Sequence, residues 1–169
     1  MCIRDSFYNG LETPTEHVAD LDIEINYFYN FLKGQDHATL VPYRTEWYIF
    51  DDEAKIAGSI DMVFQVDPAR NPKKVVIYDW KCSKEIKHIN RYEKGKSPVS
   101  HLDNCNLNHY SLQQNMYKYI LEKYYGFEVA EMNLVILHRN HPDFYLVNIK
   151  DMQKEIKALI TDLNHLRSE

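Results

Sequence analysis

Cysteine is scarce in this chain: three residues, Cys2, Cys82 and Cys105, lie far apart and form no CxxC pair. A zinc or iron–sulfur site built on thiolates draws its ligands from closely spaced pairs, so neither is expected. Reduced thiols suit an intracellular protein. Long apolar runs are missing too. None approaches the roughly 18 to 20 residues that a membrane span needs, and Met1 to Phe7 has no signal-peptide apolar core. Bulk positive charge is also absent, the formal net charge being -5. A protein that held nucleic acid by overall charge alone would be basic, so any such partner must be met by local charge. No internal repeat, low-complexity segment or linker divides the 169 residues, which suit one domain. The start is abrupt. It enters directly at Phe7-Tyr8-Asn9, as though a preceding helix were cut, and this reads as a single domain (1–169) that is N-terminally incomplete.

What is present is a 44% hydrophobic composition, enough for a real core, and 13 tyrosines. Tyrosine packs a ring while keeping a polar tip, which suits half-wet clefts as well as cores. From Asp20 to Leu32 the apolar residues Leu21, Ile25, Phe28, Phe31 and Leu32 recur at helical spacing, and Gly34 follows as a stop. The period then shortens to two. Thr45 to Phe50 sets Trp47 and Ile49 against Glu46, Tyr48 and Phe50. Lys55 to Val66 carries Ile56, Ile60, Met62, Phe64 and Val66 in alternation. Lys74 to Cys82 makes a third strand after the Asp67–Pro72 turn. These strands predict an antiparallel meander. Ser83 to Asn108 is a long polar connection, and long loops are often functional. A helix over Tyr110 to Tyr125, strands over Glu131 to His138 and Phe144 to Ile149, and an amphipathic helix over Asp151 to Leu166 complete the order. The expected fold is an α/β sandwich around a mixed central β-sheet flanked by helices.

Asp79 and Lys81 lie two apart on the third strand and so project from one face, with Trp80 on the other. The preceding Val75-Val76-Ile77-Tyr78 is apolar on both faces. Charges at the end of a buried strand are costly unless they are paired or bind something; a plain Asp79–Lys81 ion pair is the simpler account. Asp61, on the neighbouring strand after Gly58-Ser59-Ile60, falls close to Asp79 if the two strands are antiparallel. Two carboxylates forced together repel unless a cation lies between them, and Mg²⁺ takes one or two carboxylates with waters and phosphate oxygens. Glu46 on the first strand offers another carboxylate, or is simply an outward residue.

Glu46, Gly58-Ser59-Ile60-Asp61, Asp79-Trp80-Lys81 and Gln113-Gln114-Asn115-Met116-Tyr117, in that order, resemble the Glu, GxxD, DxK and QxxxY motifs of the RecB-type branch of the PD-(D/E)XK nucleases. The similarity runs from about Asp20 to the C-terminus, and Pro42 to Phe64 is also similar to nucleases of large DNA viruses and phages. The resemblance implies a restriction-endonuclease-like core and a metal-dependent deoxyribonuclease. Its expected activity is that of an exonuclease on DNA ends or single strands, in recombination, repair or replication. It implies Mg²⁺ or Mn²⁺ on Asp61, Asp79 and the Trp80 backbone carbonyl. Lys81 is then the residue that orients or deprotonates the attacking water, with Glu46 beside it among the catalytic residues, and Gln113 and Tyr117 hold the substrate strand. It also implies an intracellular setting, cytoplasm or nucleoid, and a virus-encoded origin fits.

Two features depart from the family pattern. Many relatives place a histidine ligand in a GxxxH setting before the first strand, and His17 does not match it. Others carry four cysteines for an iron–sulfur cluster, which this chain lacks. After Lys81 comes a basic run, Lys84, Lys87, Arg91, Lys94 and Lys96, with Tyr92 interleaved and only Glu85 and Glu93 opposing it. Cations with an aromatic among them suit a single strand, although charge runs are often only solvated faces. His109, one turn before Gln113, is a further candidate for touching phosphate. Two other accounts compete: a DNA-binding module of the same fold that has lost turnover, and an unrelated enzyme in which Asp79 and Lys81 are an ordinary ion pair.

Overall fold

The computed structural model describes residues 23–34 and 40–168. His17, Cys2, the chain start and the Asp20–Asp22 part of the first expected helix lie outside the described residues. In chain order the elements are α1 (Ile23–Gly34), β1 (Leu40–Asp51), β2 (Ile56–Val66), β3 (Lys74–Lys81), α2 (Asn106–Tyr124), β4 (Glu128–Ile136), β5 (Tyr145–Asn148) and α3 (Gln153–Ser168). The five strands form one sheet in the order β1-β2-β3-β4-β5. β1, β2 and β3 are an antiparallel meander, β3 and β4 are parallel, and β4 and β5 are antiparallel. The parallel pair needs a crossover, and the long loop with α2 supplies it. The expected α/β fold with a mixed sheet is what forms.

The three central strands are apolar on both faces because both are covered. α1 lays Tyr27, Phe28, Phe31 and Leu32 on one face, against Met62, Phe64, Val76, Tyr78, Trp80 and Val135. α2 lays Tyr117, Ile120 and Leu121 on the other, against Trp47, Ile49, Val63, Ile77 and Leu134. α3 packs outside α2, where Ile156 and Ile160 meet Ala54, Leu112 and Met116. The helices thus use residues at i, i+3 and i+4 and the strands every second residue, as burial of one stripe or of both faces requires.

One feature departs from the regular alternation. Thr45 pairs with Met62 and Trp47 with Ile60, yet Met62 faces α1 while Ile60 and Trp47 face α2. Both strands therefore change face across Glu46 and Asp61. Ile60 does not share a side with Met62 and Phe64, which corrects the plain alternation read from the sequence. Glu46 takes φ 46°, a left-handed conformation that is uncommon for a residue with a Cβ. A second irregularity falls between Pro42 and Arg44.

Candidate active site

The hydrogen-bonded ladder between β2 and β3 ends at Met62 opposite Tyr78. One residue further, Asp61 and Asp79 stand across from each other where the strands no longer bond directly. Asp61 spans the gap, its Oδ2 accepting the Trp80 backbone N–H at 2.9 Å. The Trp80 ring goes to the opposite face, edge-on to Phe28 and Phe31 with ring centroids 5.5 and 5.2 Å away. This anchor holds the strand end, so that Asp79 and Lys81 both project towards α2.

Asp79 is 2% exposed, and its Oδ2 lies 2.5 Å from the Lys81 Nζ. The Lys81 ammonium is thus the cation that faces the buried carboxylate. Burial, and then the neighbouring Asp61 carboxylate, push the Asp79 pKa up to about 6, although Lys81 and Gln114 pull it down. Lys81 also reaches Gln113 Oε1 at 3.4 Å and sits over the Tyr110 ring, 4.8 Å from its centroid. Gln113 Nε2 donates to the Tyr117 hydroxyl at 2.9 Å. The Tyr117 hydroxyl resists ionisation, first because it is buried, and also because Asp79, Asp61 and Glu46 place negative charge nearby.

Gly58 lets this cluster close. A Cβ there would stand 2.5 Å from Tyr117 Cε1, so only glycine admits the ring against β2 at this point. Glu46 is exposed and accepts a hydrogen bond from the Ser59 hydroxyl at 3.2 Å. The structure thus brings Asp61, Asp79, Lys81, Gln113 and Tyr117 together, with Glu46 at the rim.

Two contributors escaped the sequence reading. Gln114 is wholly buried beside Asp79, where its amide helps to lower the carboxyl's pKa. Tyr110 supplies the ring beneath Lys81. Neither has a spacing signal of its own; Gln114 is concealed by Gln113, which carries the QxxxY pattern.

Among the described residues, no three His, Cys, Asp or Glu side chains gather as a metal cluster. The carboxylate donors at hand are Asp61 and Asp79. Two crowded carboxylates, one of them buried against a lysine, have the donor chemistry that a hard divalent cation accepts, waters and substrate completing the shell.

The loop between β3 and α2 places the other candidates. Lys84, Lys87, Arg91 and Tyr92 are all exposed. Lys94 is taken up by an ion pair with Asp103. His109 is exposed, with Nε2 2.7 Å from Asn104 Oδ1, and it lines a small pocket with Lys94 and Lys96. Its ring is thus engaged by the loop.

No family model matches the chain, and no curated protein matches it. Among solved structures it is similar to a candidate exonuclease from Eubacterium rectale, known at 2.19 Å resolution. The two align with a TM-score of 0.52 at 11% identity, over 97% of this chain and 62% of that one. A second structure, SSO0001, aligns over 85% of this chain and 58% of its own, with 18% identity and a TM-score of 0.39, too low to carry an argument. This chain therefore spans less than two thirds of either protein. The first likeness shows a shared α/β fold. No described helix is long and apolar enough to cross a membrane.

Proposed function

We propose that the protein is a metal-dependent nuclease of the RecB-type PD-(D/E)XK branch, hydrolysing DNA phosphodiester bonds as an exonuclease on ends or single strands. The observation that carries this is the convergence of Asp61, Asp79 and Lys81 where β2 and β3 part, closed over by Gln113 and Tyr117 from α2. The fold shared with a candidate exonuclease supports it.

Asp61, Asp79 and the Trp80 carbonyl would hold Mg²⁺ or Mn²⁺. When bound, such an ion lowers the pKa of water and offsets charge on phosphoryl oxygens. The remaining work belongs to the chain. Lys81, now against Asp79, would turn its ammonium to the water and to the charge that develops on the phosphate. Tyr110 and Gln113 flank it from α2, so the turn it has to make is short. Tyr117, kept protonated by its surroundings, can donate a hydrogen bond to a phosphate oxygen. Gln113 orients that hydroxyl. Glu46, at the rim, is placed to meet an approaching water or strand.

The test is digestion of end-labelled single- and double-stranded DNA in Mg²⁺ or Mn²⁺, with Lys81→Ala and EDTA controls. Cleavage that both controls reduce at least a hundredfold, in keeping with the loss of one preorganised charge, is the expected result. Cleavage untouched by Lys81→Ala would sink the assignment.

A further inference from the structure

The loop from Ile86 to Cys105 is tied together along its length. Asn90 Oδ1 accepts the backbone N–H groups of Tyr92 and Glu93, and Asn90 Nδ2 donates to the Asn104 carbonyl at 2.8 Å. Gly95 N donates to Leu102 O at 2.8 Å, and Asn104 N to Glu93 O at 3.0 Å. The base of the loop is fixed to α2 through Lys87 N and Asn106 Oδ1, 2.8 Å apart. Against this rigid backbone two large apolar side chains stand out in water, Tyr92 at 96% exposure and Ile89 at 65%. They border a groove of about 470 Å³ lined also by Lys87, Asn90, Arg91, Asn104 and Cys105. Lys94 is spent on Asp103, but Lys87 and Arg91 have no carboxylate partner among the described residues.

Single exposed rings are ordinary on protein surfaces. Here a ring is held out by a braced backbone, beside two uncommitted cations and a cavity large enough for a nucleotide. We propose that this groove is a nucleobase subsite for single-stranded nucleic acid, with Tyr92 stacking on one base and Lys87 and Arg91 holding the flanking phosphates. The proposal rests on the nuclease reading and specifies its substrate. In a duplex both faces of each base are covered by stacking, so a free ring selects an unstacked base. The groove meets α2 at Cys105, and Lys81 meets it at Gln113. Eight helical residues at 1.5 Å each separate them, roughly 12 Å, so one strand can occupy both places. Ends frayed into single strands would be engaged ahead of closed duplex.

The test separates the groove from the chemistry. Fluorescence anisotropy in EDTA compares a short oligothymidylate with an abasic oligonucleotide of equal length. Tyr92→Ala should weaken binding of the oligothymidylate roughly tenfold and leave the abasic strand unchanged. Lys87→Ala or Arg91→Ala should weaken both, each lowering the slope of log K against log salt by about 0.7. Tyr48→Ala, the loss of another exposed ring, on β1, should change neither. An equal effect of Tyr92→Ala on both strands, or none on either, overturns the subsite. Parallel digestion in Mg²⁺ keeps the two ideas apart. Cleavage by wild type without any Tyr92 effect removes the groove and spares the centre; base-dependent binding without cleavage does the reverse. Binding of neither strand by wild type defeats the groove outright.

Discussion

Asp79 is the residue whose environment is most at odds with its charge. Its pKa is raised to about 6 in the fold from an ordinary 3.8, so between those values the folded state binds the extra proton. Stability must then fall as pH rises through that window and level off above it. A shift of this size corresponds to roughly 3 kcal/mol. Urea titrations of wild type and Asp79→Asn in EDTA check it. The stability of wild type relative to the variant should decline between about pH 4 and pH 6 and stay flat beyond. A difference constant across pH would mean that Asp79 is not strained. Much of this was legible in the sequence, because an aspartate and a lysine two apart after four apolar residues can only sit at the end of a buried strand. The neighbouring Gln114 was not legible. Which of two adjacent glutamines turns inward depends on the rotation of α2, and that is set by Ile120 and Leu121 far along the helix.

The elements carrying the site meet closely. Gly58 on β2 touches Tyr117 on α2, and Gly58→Ala forces a methyl to within 2.5 Å of the ring. The ring is buried and cannot simply swing away. Overpacking of this kind costs about 1–3 kcal/mol, and the displaced hydroxyl should lose Gln113. Thermal denaturation should report a less stable protein, and adding Tyr117→Leu should recover most of the loss through coupling between touching residues. Independent, additive effects would show that the contact is not as close as described. The strands themselves were read well wherever alternation was clean. β1 was read as Thr45 to Phe50 but runs from Leu40 to Asp51, because the irregularity between Pro42 and Arg44 breaks the period before the strand begins to look like one. The change of face at Glu46 and Asp61 left no trace in residue type. It arises from backbone geometry shared by two strands.

For the whole molecule, the prediction concerns removal of the divalent ion. If the folded state alone gathers the carboxylates of Asp61 and Asp79, an ion stabilises it by mass action. At a hundredfold excess over the dissociation constant this amounts to about 2.7 kcal/mol. Differential scanning fluorimetry should show the melting temperature rising with Mn²⁺ and returning on chelation, with the rise abolished in Asp61→Asn/Asp79→Asn. A melting temperature indifferent to Mn²⁺ in wild type would count against the centre. The overall architecture was accessible from element order alone, since a meander followed by helix and strand leaves few ways to cover both sheet faces. The parallel pairing of β3 with β4 could be inferred only loosely, from the length of the connection between them.

That parallel pairing has a consequence for the order in which the chain leaves the ribosome. Every candidate residue of the centre, from Glu46 to Tyr117, precedes β4. Yet β3 holds Asp79 and Lys81 in place by lying between β2 and β4, with Asp79 beside Leu134 and Lys81 beside Ile136. A nascent chain that has emerged only as far as Tyr124 possesses all the chemistry but only one side of the framing. Until residues near Ile136 appear, its third strand remains an open border with two charges at its tip.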